Sequence, residues 1–251
     1  MDSPIEKITD PSFTSSAKGL MTLFGIGLTH MVIGVNMDDV QIAIPWLPTI
    51  NFEHPDRLIY LYWALVWYAL YRYSLHHKNI FGQYYFDSLK RVLEVGQKGE
   101  SFVRKNIFLS HHYYTVIEHY NDGNNEIIIE SASDDDNETS FSFSFTFTND
   151  FSLKKISCWE NPAFDIDELV THNEEKKSMW GLKSYDDEHQ ISHETTKIKS
   201  KILRYRLRYL VITNYFQRMK YDKEIFDTTV PIILNLLLFL VWLICYFKLF
   251  Q

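Results

Sequence analysis

The side chains able to hold a metal or move a proton stand at spacings that suit neither task. His76-His77 and His111-His112 are adjacent pairs. Neighbours in a strand point to opposite faces, so His111-His112 makes a poor chelate. Asp134-Asp135-Asp136 lacks the alternating ligands and turn glycine of a calcium loop and reads as a solvated turn. His112 with Glu118 or His119 becomes a site only if the fold assembles it. There is no phosphate loop, zinc spacing, nucleophile elbow or dinucleotide fingerprint. The sequence therefore predicts neither a cofactor nor a bound metal, and not an enzyme.

Two other groups of polar residues remain. Lys197, Lys199, Lys201, Arg204, Arg206 and Arg208 place six cations in twelve residues with no acid among them. They are candidates for contact with anionic lipid, or with an acidic partner such as nucleic acid. Alternatively they balance the acidic stretch before them, since residues 160–194 hold ten Asp or Glu against three Lys. The second group is Thr29, His30 and Asn235, which fall inside strongly apolar stretches. Ionisable or polar groups are costly in lipid, so these are candidate intramembrane sites. For His30 the expectation is a neutral ring bonded to a neighbouring helix. For Asn235 it is a shallow position near the membrane surface rather than a bond across to another helix.

The apolar stretches set the architecture. Residues 58–75 (LIYLYWALVWYALYRYSL) and 230–247 (VPIILNLLLFLVWLICYF) each have about the 17–25 residues a helix needs to cross a bilayer. Residues 20–35 (LMTLFGIGLTHMVIGV) read as a third, shorter span. The mean hydropathy of −0.19 makes the membrane part a minority of the chain. Residues 1–19 do not resemble a basic secretory leader. Cys158 and Cys245 fall in different parts, so no disulfide is expected. A net charge of −7 argues against a general nucleic-acid binder.

Charge orients the spans. The connector 36–57 carries Asp38, Asp39, Glu53 and Asp56 against Arg57 alone, so it faces out. The flanks of the middle segment carry Arg72, Lys78, Arg218, Lys220 and Lys223, so that segment faces the cytoplasm. The expected organisation is a cytosolic segment 1–19, a membrane hairpin 20–77, a cytosolic domain 78–228 and a tail anchor 229–251. The expected fold class is α+β, a membrane protein with 2–3 transmembrane helices and a cytosolic domain containing an antiparallel sheet.

Within that domain, 84–95 has helical spacing and stops before Gly96. Residues 107–120 are rich in β-formers, Asn121-Asp122-Gly123 is a hairpin turn, and 126–130 (EIIIE) is the partner strand. SFSFSFTFT at 140–148 alternates strictly, so Phe141, Phe143, Phe145 and Phe147 share one buried face. Residues 153–159 extend the sheet, and a short helix is expected around 165–170. From Lys197 a long basic amphipathic helix follows, with Ile198, Ile202, Tyr205, Tyr209, Ile212 and Phe216 at spacings of three or four.

The layout resembles small bacterial membrane effectors of antiviral defence, in particular the transmembrane effector encoded beside a retron reverse transcriptase. The residues behind this are the helix 20–35, the loop IAIPWLPTINFEHPDRL, the aromatic helix ending LYRYSL, and the lone tail helix after a cytosolic α+β domain. The resemblance implies an inner-membrane protein, idle until a phage trigger releases it to damage the membrane and halt or kill the cell. It implies a reverse transcriptase and its RNA–DNA product as partners. Three helices cannot enclose a pore alone, so a leak requires a homo-oligomer, with Thr29, His30 and Asn235 as candidate lining. The alternative reading is a membrane-anchored scaffold or envelope protein with a cytosolic interaction domain, and after it a membrane-bound enzyme.

Overall fold

The computed structural model describes residues 15–33, 41–42, 50–51, 57–94, 96–109, 113–121, 123–132, 139–161, 169–187 and 190–248. These form two compact units, Met1–His77 with Asp222–Gln251, and Lys78–Tyr221.

The first unit is built on three helices, α1 (Ser15–Ile33), α2 (Leu58–His76) and α7 (Lys223–Lys248). Between α1 and α2, β1 (Gln41–Ile42) pairs antiparallel with β2 (Ile50–Asn51). Aromatic tips knit the helices together. The Tyr62 hydroxyl donates to the Leu23 carbonyl at 2.7 Å, and the Tyr73 hydroxyl to that of Thr228 at 3.0 Å. Tyr60 and Tyr246 share a hydrogen bond of 3.2 Å near the opposite end. The Tyr60 and Tyr73 bonds run α2 antiparallel to α7, and α1 runs alongside α7, with Leu20 at Asn235 and Met31 in one cavity with Leu58 and Cys245. The unit is therefore an up-down-up bundle, with His77 and Asp222 at the same end.

Among the described residues, one helix is long and apolar enough to cross a membrane, Lys223–Phe247. The apolar part of α1, Ala17–Ile33, is shorter. In α2 the Tyr and Trp residues that knit the bundle lower its hydropathy. Of the two to three spans expected, the tail helix alone combines this length and hydropathy among the described residues.

The second unit is α+β. Its six strands are β3 (Thr115–Asn121), β4 (Asn124–Ala132), β5 (Thr139–Thr148), β6 (Leu153–Glu160), β7 (Lys183–Asp187) and β8 (Gln190–Thr195). They form one antiparallel sheet in the order β3-β4-β5-β6-β8-β7. Asn121 pairs with Asn124 at the expected hairpin, where Gly123 has φ +107°, a conformation that glycine adopts without a Cβ penalty. The alternating phenylalanines are fully buried on one face. Phe141 packs on Phe108, Phe143 on Trp180 and Phe147 on Phe86, with ring centroids 4.9–5.5 Å apart. On the other face, Ser144 and Ser157 stand directly opposite and share a hydrogen bond of 2.8 Å.

Four helices accompany the sheet: α3 (Lys78–Glu94), α4 (Gln97–Val103), α5 (Glu174–Trp180) and α6 (Lys201–Met219). α3 begins well before the predicted residue 84. The strand expected from 107 begins only at Thr115, because Arg104–Phe108 close a π-helical turn instead. Three bonds fix that turn. The Asn106 amide donates to Phe102, the Trp180 indole donates to the Asn106 carbonyl at 2.9 Å, and the Ile107 carbonyl accepts from Val170 N at 2.8 Å. Ile107 and Phe108 thereby serve the core as helical rather than strand residues. The strands β7 and β8 were not anticipated. His111-His112, the Asp134–Asp136 run and most of the expected helix at 165–170 lie outside the described residues.

Candidate functional site

The sequence candidates divide between the two units. In the first, Asn235 is completely buried, and its amide donates to the Leu20 carbonyl at 3.0 Å and to that of Pro231 at 2.8 Å. The shallow position expected for it gives way to a bond across to α1. Pro231, four residues earlier, leaves its carbonyl turned to the same side. Thr29 lies on an exposed part of α1 and donates to Gly25 of its own helix at 2.8 Å. His30 borders a cavity of about 300 Å³ with Gly27, Tyr62, Trp63, Trp242 and Cys245. The neighbour-helix bond expected for His30 is not formed: Nδ1 is enclosed without a partner among the described residues, as is the Trp63 indole N–H. The three polar residues therefore do not converge. Asn235 clasps two helices, His30 faces a cavity, and Thr29 bonds back to its own helix.

In the second unit, the six cations follow α6 and the segment leading into it. Ser200 caps the helix by accepting from Leu203 N, and the inward stripe Leu203, Leu207 and Val211 joins the core. Asp87 and Arg218 link α3 to α6 at 3.5 Å. The apolar series predicted from the sequence is not this stripe. Of Ile198, Ile202, Tyr205, Tyr209, Ile212 and Phe216, only Ile198 is buried; the other five are 45–68% exposed. At 3.6 residues per turn these five fall within an arc of about 80°. Lys201 borders that arc on one side and Arg206 on the other, both exposed. Thus α6 has an apolar face turned to the core and a second, aromatic face turned outward.

Lys197, Arg204 and Arg208 line a groove of about 530 Å³ beside the outward face, whereas Lys199, Lys201 and Arg206 do not. Ile198, Leu207 and Ile212 contribute to its apolar lining, together with Tyr85 and Leu89 of α3, Phe145 and Phe147 of β5, and Leu153 of β6. Arg204 is pinned in place, its Nη2 donating to the Ile198 carbonyl at 2.9 Å, while its enclosed Nε has no partner among the described residues. Burial pushes the Tyr85 hydroxyl above its ordinary value, opposed by the charge of Arg208. The aromatic contribution to this groove was hidden in the sequence. Phe145 and Phe147 read only as core, and Tyr85 stands about 120 residues from the cations. Period-two spacing carries no mark of which end of a strand stays open.

One arrangement has the look of a catalytic dyad. Cys158 and His193 are direct cross-strand partners. Burial pushes the Cys158 thiol up to about 12, with Glu160 adding to the effect, so it is no thiolate nucleophile at neutral pH. Burial also holds His193 below the usual histidine range, aided by nearby Lys177. Among the described residues no group of His, Cys, Asp and Glu has a metal-binding arrangement. Comparison with protein families, with curated proteins and with solved structures finds no match for this chain.

Proposed function

We propose that this chain is a membrane effector of bacterial antiphage defence, held in the inner membrane by a three-helix bundle and carrying its α+β unit on the cytoplasmic side. The outward face of α6 carries this reading. Tyr205 and Tyr209 lie between Ile202, Ile212 and Phe216, with cations on both borders and no acid anywhere in the helix. Tyr rings with aliphatic neighbours suit the lipid–water boundary, and each cation adds up to about 1 kcal/mol near an anionic leaflet. Residues 220–222 alone separate α6 from the apolar helix α7, a tether of at most about 14 Å. A helix so tethered and so patterned lies along the inner leaflet.

On this reading α1 and α2 also enter the bilayer, and the Asn235–Leu20 clasp holds the bundle closed in the idle state. Damage follows when several copies associate and α1 turns Thr29 and His30 toward a shared aqueous path. The restraining partner, in line with the retron resemblance, is a reverse transcriptase with its RNA–DNA product. Expression of the chain alone in bacteria, followed with a potential-sensitive dye, tests the reading. Depolarisation that co-expression of the neighbouring genes suppresses supports it. A steady potential with the chain present in the membrane fraction counts against it.

A further inference from the structure

The groove beside α6 has a composition that lipid contact does not explain. Its floor is apolar and mixes aliphatic side chains with three aromatic ones, Phe145 and Phe147 almost wholly buried and Tyr85 to one side. Its rim carries Lys197, Arg204 and Arg208 and no carboxylate. Among the described residues none of these three cations forms an ion pair, although Lys155, Lys177 and Lys90 elsewhere in the unit each have one. Three unpaired cations above low-dielectric walls concentrate positive potential at the mouth of the groove. The Arg204 guanidinium is already oriented by its bond to the Ile198 carbonyl, and it forms no ion pair among the described residues. A volume of about 530 Å³ is ordinary for a small-molecule site.

We infer that this groove is a binding site for an organic phosphate with a planar apolar body, the class to which nucleotides belong. The phosphate meets Arg204, Arg208 and Lys197 in charge-assisted hydrogen bonds. The planar body lies on Tyr85, the one ring of the lining that is not fully buried, where stacking favours a flat ring. A lysophospholipid shares the phosphate but brings an acyl chain, so the two sources are separable by experiment. The site shares Ile212 with the outward face of α6, whereas Tyr85, Phe145, Phe147 and the pinned Arg204 are not part of that face.

The test is isothermal titration of the full chain in detergent micelles with four probes: adenosine monophosphate, adenosine, inorganic phosphate and lysophosphatidic acid. Adenosine monophosphate binds, and adenosine and inorganic phosphate each bind at least about tenfold more weakly, since each supplies half of the recognition. The double substitution Arg204→Gln with Arg208→Gln weakens adenosine monophosphate at least about tenfold, and Lys105→Gln, an exposed cation outside the lining, leaves it unchanged. Far-ultraviolet circular dichroism verifies that the sheet persists. Should the arginine variant not fold, Leu153→Trp fills the groove from its exposed rim and weakens the same probe. Absence of adenosine monophosphate binding at millimolar concentration overturns the assignment. So do phosphate binding as tightly as the nucleotide, tighter binding of lysophosphatidic acid, and an affinity indifferent to both variants.

Discussion

Asn235 on α7 and Leu20 on α1 are joined by a 3.0 Å hydrogen bond from a fully buried side-chain amide to a backbone carbonyl. The bond links two helices separated by most of the chain. Its replacement by Leu conserves volume and removes both donors. Asn235→Leu should weaken the bundle by about 1 kcal/mol, the scale of interhelical polar contacts in membranes. A lower midpoint of unfolding in mixed detergent micelles measures this, and an unchanged midpoint would mean that the clasp contributes nothing.

Gly27 faces the same bundle. A Cβ there would fall against the Tyr62 hydroxyl and within 2.7 Å of the Leu238 side chain. Gly27→Ala should displace α1, break the Tyr62–Leu23 hydrogen bond and cost about 1–3 kcal/mol. Removing the obstructing oxygen with Tyr62→Phe in the Gly27→Ala background should recover part of that loss, as read by the same unfolding midpoint.

In the α+β unit the two faces of β5 should respond unequally. Phe143 is fully buried against Trp180, so Phe143→Ala should destabilise the unit by about 3–5 kcal/mol. Ser144, its neighbour, makes only the cross-strand bond to Ser157, and Ser144→Ala should cost about 1 kcal/mol. Denaturant titration followed by the sheet signal distinguishes the two.

Acid should weaken the unit through His193. Its folded form resists protonation because it is buried, whereas the unfolded chain takes up the proton near pH 6.5. The stability it contributes is therefore complete above about pH 6.5 and declines as pH falls below that value. His193→Asn should flatten the fall in denaturant midpoint between pH 7 and pH 5 relative to the native chain.

Cys158, its cross-strand partner, should resist alkylation in the folded protein at pH 8, since its thiol is buried and pushed up to about 12. Mass spectrometry after iodoacetamide treatment, with and without denaturant, tests this. Rapid modification of Cys158 in the folded chain would contradict the inert assignment.

The sheet was legible where one face is wholly buried. Phe141 to Phe147 alternate without exception, and the Asn121–Gly123 turn fixes the register of its neighbours, so β4, β5 and β6 could be read directly. β7 and β8 escaped because they lie in an acidic stretch whose few apolar side chains give no alternation, and their pairing with β6 is set by tertiary contact. The Arg104–Phe108 turn escaped for the opposite reason. Its β-forming residues pack as a helical turn that Trp180 and Val170 secure from distant parts of the chain. On α6 the three-and-four spacing correctly gave a helix, yet two apolar series coexist there. Spacing alone does not say whether Leu203, Leu207 and Val211 or Ile202, Tyr205 and Tyr209 face the core. The cations were visible, but their division between groove and outer face depends on α3 and β5.

The outward face of α6 is decisive for the proposed membrane role. A bimane label on Tyr209→Cys, in a Cys245→Ser background reconstituted into vesicles, reports its surroundings through quenching by brominated lipid. Strong quenching in phosphatidylglycerol vesicles, reduced in phosphatidylcholine or at 0.5 M salt, is the predicted result. Fluorescence that ignores brominated lipid in both vesicle types and yields instead to aqueous iodide would contradict it.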